Sequence, residues 1–173
     1  HEGKIVGLAS YGDPDILTPI LLSRIEQTDG DFKIFEANNV YFSRYLASHF
    51  PKIDVAAAYQ NVLEVVATNF VKYWVKKTGI DTVVLSGGVT ANVKLNQRIF
   101  EIEGVNNIFV YPNMGDGGCG TGAALYHSQT EERKPTISNA YFGPDFSDDE
   151  IAKELKEAGL EFTKPDHLAK EVA

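Results

Sequence analysis

From Val55 to Glu131 the chain alternates helix and strand signals, and that order leaves few folds open. Asp54 stands at an N-cap position and opens the longest helical run, which extends to Thr78. Val55, Tyr59, Val62, Val66, Phe70, Tyr73 and Trp74 recur along it at three- and four-residue steps, one apolar and aromatic face. Gly79 is its C-cap. Thr82–Leu85 then reads as a short buried strand, 91–103 as a helix, 107–111 as a second buried strand, and 119–131 as a third helix. Parallel strands joined by helices produce this pattern. The expectation is an α/β protein whose strands at 82–85 and 107–111 are parallel neighbours, with the aromatic face of the long helix packed on their sheet.

The flanking segments carry weaker signals. Residues 1–12 read as a short helix or turn closed by Tyr11-Gly12-Asp13-Pro14. A helix is expected over 16–27, ending before Asp29-Gly30, then a short strand at Phe32–Phe35 and a turn at Asn38-Asn39. Residues 41–50 read as a helix stopped by Pro51. Lys134-Pro135 begins a linker, and Ser147-Asp-Asp-Glu150 is a capping box for a helix to about Ala158.

A glycine turn follows each of the two strands. The first is Ser86-Gly87-Gly88-Val89-Thr90-Ala91-Asn92; the second runs from Asn113 to Gly122 and includes Gly115, Asp116 and Gly117. Five of the chain's 15 glycines fall between 115 and 122, too dense for a simple turn. Glycine permits close backbone approach, and a helix start just beyond each loop offers free N–H groups to an anion. Ligands of open α/β sheets sit at this carboxyl edge. Taken together the loops point to a nucleotide phosphate cradle, although neither matches a P-loop or the G-x-G-x-x-G fingerprint in context. Asp116, between glycines, is either a ligand of a phosphate-bridging metal or a cap of the next helix. Asn92 either bonds a ligand or caps its own helix. Cys119 is read as a packing residue, because no base adjoins it.

The composition excludes several classes. A net charge of −8 lacks the basic face that nucleic-acid binding requires. No stretch approaches the ~18–20 apolar residues of a membrane span, and the first thirty residues hold no signal-peptide core. One cysteine rules out an internal disulfide and any multi-cysteine metal site, and suits a reducing cytoplasmic setting. The chain opens without methionine and stops within a helical pattern, so it is read as a piece of a longer protein.

Six segments in this order carry a resemblance: Glu2–Gly12, Val55–Gln60, Leu85–Asn96, Pro112–Gly118, Gly122–Tyr126 and Tyr141–Asp145. Together they resemble the nodulation-protein-type O-carbamoyltransferases, across almost the whole chain. The resemblance implies one lobe of an actin, sugar-kinase and heat-shock-ATPase type of fold, a mixed sheet with flanking helices. It is similar also to the tRNA threonylcarbamoyl-transferring proteins. Residues 1–133 would be the nucleotide-binding lobe; 134–173 would be a linker and the start of a C-terminal domain. Carbamoyl phosphate and ATP would yield carbamoyl-adenylate, and the carbamoyl group would pass to a hydroxyl of a small-molecule acceptor. Gly87, Gly88 and Asn92 would contact the nucleotide, and Glu2, Lys4 and Gly12 would line its cleft. Asp116 would ligate a divalent metal, iron by resemblance, with magnesium the other option. Ser10 stands where the family commonly carries proline, and no two of His1, His49, His127 and His167 form the family's His-x-x-x-His pair. The competing expectations are a sugar-kinase or actin-like ATPase lobe and a noncatalytic ATP-sensing domain.

Overall fold

The computed structural model describes residues 2–35, 40–130, 139–141 and 143–172. The expected turn at Asn38-Asn39 and the linker start at Lys134-Pro135 lie outside them. The chain divides into two compact units, residues 1–135 and 136–173.

The first unit is organised around one long helix, α4, Lys52–Thr78. Pro51, at φ −54° and ψ 132°, is its N-cap, so the helix begins three residues earlier than expected. Asp54 therefore lies inside the first turn, and its carboxylate accepts the Asp13 N–H at 2.8 Å instead of capping its own helix. The other end stops as expected: Gly79 turns left-handed at φ +70° and donates its N–H to the Val75 carbonyl at 2.9 Å. Lys76 and Lys77 oppose the negative end of the helix dipole there.

Helices α1 (Glu2–Ala9) and α2 (Leu17–Leu22) pack on α4, with α3 (Val40–His49) beside them. Ala56, Ala57 and Ala58 are small enough to sit fully within this packing. The core joins Leu17 and Leu21 of α2 and Leu46 of α3 to Val55, Ala58, Val62 and Val66 of α4. Each fully buried leucine contributes about 1.5–3 kcal/mol, and Leu17 and Leu46 are the largest such side chains.

The helix expected over 16–27 is only half helical. After α2 the chain enters β1, Ile25–Thr28, which pairs antiparallel with β2, Asp31–Ile34. Asp29-Gly30 forms the two-residue connection, with Gly30 at φ +77°, and such a dipeptide favours a hairpin. The aromatic end of α4 receives this hairpin. Phe70 meets Phe32 edge-on at 6.3 Å, Trp74 Nε1 donates to the Gly30 carbonyl at 2.9 Å, and Asn69 Nδ2 donates to Gln27 Oε1 at 2.9 Å. The aromatic face thus packs on the hairpin, not on the parallel strands.

Those strands are β3, Thr82–Leu85, and β4, Asn107–Val110. They are parallel neighbours as expected, in register from Thr82↔Asn107 to Leu85↔Val110. The Asn106 side-chain amide bonds Asp81 at 2.8 Å and holds its carboxyl below the usual range, with Thr82 adding to the effect; this ties the two strand starts together. Their crossover helix α5, Val93–Phe100, is shorter than the expected 91–103 because Gly88–Ala91 winds as a 3₁₀ turn before it. Two expectations fail. The described strands form two separate pairs and no single mixed sheet, since the Asp29-Gly30 turn closes β1 onto β2 locally. Nor are β3 and β4 buried on both faces: Val84 is 68% and Phe109 54% exposed, while Val83, Leu85, Ile108 and Val110 are half-buried. Helix α6, Cys119–Thr130, follows the second glycine loop.

The second unit carries α7, Asp148–Glu157, and α8, Leu168–Val172. The capping box is complete: Glu150 N–H donates to Ser147 Oγ at 3.3 Å, and Ser147 N–H donates to Glu150 Oε2 at 2.7 Å. Gly159, at φ +69°, closes the helix at its other end. No described helix is long and apolar enough to cross a membrane.

Candidate functional site

Parallel strands deliver their following loops to the same edge, and the structure joins the two loops directly. The Gly87 N–H donates to the Met114 carbonyl at 2.8 Å. Gly87 itself stands at φ +101° and ψ 155°, a conformation open essentially to glycine alone. Its carbonyl accepts from both the Thr90 N–H at 3.0 Å and the Thr90 hydroxyl at 2.8 Å. Thr90 is buried, and its own carbonyl accepts from Asn96 Nδ2 at 2.7 Å. The turn is thus braced from both sides, which leaves Gly88 at its tip with no atom within 4 Å of a notional Cβ.

The glycines of the second loop have unequal reasons. A side chain at Gly118 would collide with the Asn113 carbonyl, and one at Gly117 would come within 2.8 Å of the Asn113 side chain. The loop's own folding therefore demands glycine at 118, where the clash is with backbone, while at 117 the Asn113 side chain can turn aside. Gly115, Gly120 and Gly122 face open space. Residues 116–118 form a 3₁₀ turn running straight into α6. No described side chain caps the first turn of α6, and the Cys119 N–H is taken by the Asp116 carbonyl of the preceding 3₁₀ turn.

Asp116 lies exposed between its glycines, and its carboxylate makes no hydrogen bond among the described residues. The helix-cap alternative is not realised. Asn92, in contrast, does cap its helix: its Oδ1 accepts the Leu95 N–H at 3.0 Å. Its Nδ2 is also engaged, donating to Gln60 Oε1 on α4 at 2.8 Å. Gln60 appeared in the sequence only within a resembling segment, and nothing in local spacing marks a partner 32 residues away.

The remaining expected residues are dispersed. Glu2 and Lys4 lie on α1, Lys4 exposed. Gly12 packs its Cα against the Ile53 carbonyl at the start of α4, a close approach that explains glycine without any ligand. A cleft of about 730 Å³ does connect α1 to the first turn: Ile5 and Val6 stand on one side, Gly88, Val89 and Asn92 on the other. It is mainly apolar, and Gln60, Asn92 and Tyr59 are its polar side chains. Cys119 is exposed, not packed as expected. Among the described residues no three His, Cys, Asp or Glu side chains come together as a metal site.

Beyond Gln60 the polar contacts continue along α4 and α5. Gln60 Nε2 donates to Glu64 Oε1 at 2.8 Å, and Arg98 Nε pairs with Glu64 Oε2 at 3.1 Å. Arg98 also holds Glu101 at 2.8 Å; the hydrogen bond and charge push the Glu101 carboxyl down and the guanidinium up.

Comparisons with known proteins agree on one family. Residues 1–125 match the family described as Carbamoyltransferase N-terminus. Nodulation protein NolO of Bradyrhizobium diazoefficiens is 29% identical over 99% of this chain and 34% of its own length. Nodulation protein NolNO of Sinorhizobium fredii is 30% identical over 99% of this chain and 28% of its own length. An uncharacterised Synechocystis protein is 30% identical over 90% of this chain and 30% of its own. The chain thus spans about a third of the length of these relatives. With its whole first unit up to residue 125 inside the match, the chain belongs to the carbamoyltransferase family, in that family's N-terminal region.

Proposed function

We propose that this chain supplies the nucleotide-phosphate loops of an ATP-dependent O-carbamoyltransferase with a fold of the actin and sugar-kinase type. The observation that carries the reading is the Gly87–Met114 hydrogen bond, which makes one surface of two glycine loops at a parallel strand edge. Gly88 offers phosphate oxygens approach without a side chain. In this reading ATP and carbamoyl phosphate give carbamoyl-adenylate, and the carbamoyl group passes to an acceptor hydroxyl. Family membership supports the transferred group. Asp116, whose carboxylate has no hydrogen-bond partner among the described residues, is proposed as one ligand of a divalent ion, iron or magnesium. The described residues do not complete a site for one.

Gly88→Val in the full-length protein tests the reading. The wild type is expected to bind ATP. The variant should fold normally, because the space is open, and should bind ATP at least about tenfold more weakly, roughly one lost hydrogen-bonding contact. Equal affinity in a folded variant rejects the cradle.

A further inference from the structure

The Asn92–Gln60 amide pair has a direction that the structure fixes at both ends. At one end the Leu95 backbone N–H can only donate, so the atom of Asn92 facing it is Oδ1. Nδ2 of Asn92 then faces Gln60 Oε1 at 2.8 Å. Gln60 Nε2 is left to face Asn92 Oδ1 at 3.3 Å and Glu64 Oε1 at 2.8 Å. At the other end the Glu64 carboxylate can only accept, and Arg98 anchors its second oxygen at 3.1 Å. Both hydrogens and the carbonyl oxygen of the Gln60 amide are thereby committed. Asn92 retains one uncommitted Nδ2 hydrogen, beside Gly88 at the rim of the cleft.

We propose that Gln60 is a positioning residue: it fixes the Asn92 amide so that a donor, not an acceptor, is offered to an anionic oxygen of the nucleotide. This inference rests on the nucleotide reading above. Gln60 itself donates to no ligand, because both of its Nε2 hydrogens are committed. Through Asn92 it also holds the start of α5. Asn96 and Thr90 continue the path to the Gly87 carbonyl, and the Gly87 N–H carries it to Met114. One side chain of α4 thus sets the attitude of both loops.

Three variants of the full-length protein test it. Gln60→Glu sets an acceptor against Asn92 Oδ1 and a second carboxylate against Glu64, with no hydrogen between them. Gln60→Met keeps the length and removes the amide. The double exchange Gln60→Glu with Glu64→Gln relieves only the repulsion between positions 60 and 64, since the new amide donates to the new carboxylate and its oxygen accepts from Arg98, and it leaves an acceptor against Asn92 Oδ1. ATP affinity is expected to fall by roughly tenfold in each single variant and to stay at least about threefold down in the exchange. Hydrogen exchange at the Leu95 amide is expected to quicken in the single variants and to stay quick in the exchange. Affinity unchanged in both single variants, or an exchange restored to wild-type affinity, overturns the proposal. A wild type that binds no ATP, with the Leu95 pattern intact, removes the nucleotide and keeps the positioning of Asn92. Should Gln60→Glu fail to fold, Gln60→Met decides by the same two measurements.

Discussion

Gly87 and Gly88 are adjacent, and the backbone asks different things of them. At φ +101° the first is confined to glycine, whatever space surrounds it. The second has open space and no left-handed angle. Gly87→Ala is therefore expected to destabilise the chain by about 1–3 kcal/mol. Gly88→Ala should stay within about 0.5 kcal/mol. Denaturant melts of the two variants check the difference, and equal midpoints would contradict the strained turn. The same distinction clarifies why some site residues were visible in the sequence. Gly87, Gly88 and Asn92 stood in one short segment, so spacing alone grouped them. Gln60 could not be grouped with them, because an amide pair between α4 and α5 exists only after both helices pack. Gly12 and Gly118 show the converse. Their glycine identity answers to the Ile53 carbonyl or to Asn113, and sequence density cannot separate such internal demands from a ligand's.

At the scale of elements, helices with end signals came through best. Gly79 and the Ser147–Glu150 box are local chemistry, and local chemistry can be read without knowing the fold. The hairpin was hidden for the opposite reason. Ile25–Thr28 continues a helical apolar spacing from α2, and only its pairing with Asp31–Ile34 and its seat on α4 turn it into a strand. Likewise, the aromatic stripe of α4 announced a buried face but not its partner. The α7 box yields a pH dependence. The Ser147 backbone N–H and then its hydroxyl hold the Glu150 carboxyl below its ordinary 4.5. The Lys164 ammonium, through its hydrogen bond and charge, does the same for Asp148. The unfolded segment takes up these protons at higher pH than the folded one. The stabilisation is therefore present above the ordinary carboxylate values and lost as pH falls through the lowered ones. The amide signals of Ser147 and Glu150, followed by NMR from neutral pH downward, should shift in that acid window. Glu150→Gln should reduce the Ser147 shift to the part that Asp148 causes.

Across the first unit, α4 is the common partner. α1, α2, α3, α5 and β2 all pack against it, and the site's first turn is tied to it through Gln60. The second loop depends on it only indirectly, through Gly87 and Met114. Asp116 sits on this outlying loop with no second ligand gathered around it among the described residues. One carboxylate leaves the remaining coordination to water, which makes for weak retention. The chain as given is therefore expected to purify with well under one equivalent of iron by metal analysis. A full, tightly held equivalent would show a ligand set that the described residues do not form.

The seat of the hairpin on α4 also has an optical consequence. Trp74 is the one tryptophan in the chain, and its indole N–H is the group that grips the Gly30 carbonyl. Tyr73 meets its ring edge-on at 5.4 Å, and the Lys77 ammonium stands 5.0 Å from its centre. Tryptophan emission from this protein is consequently a signal of a single seam, the contact between the β1–β2 turn and the last turns of α4. Light collected from it during unfolding times the release of the hairpin, and reports on the glycine loops only when α4 itself gives way.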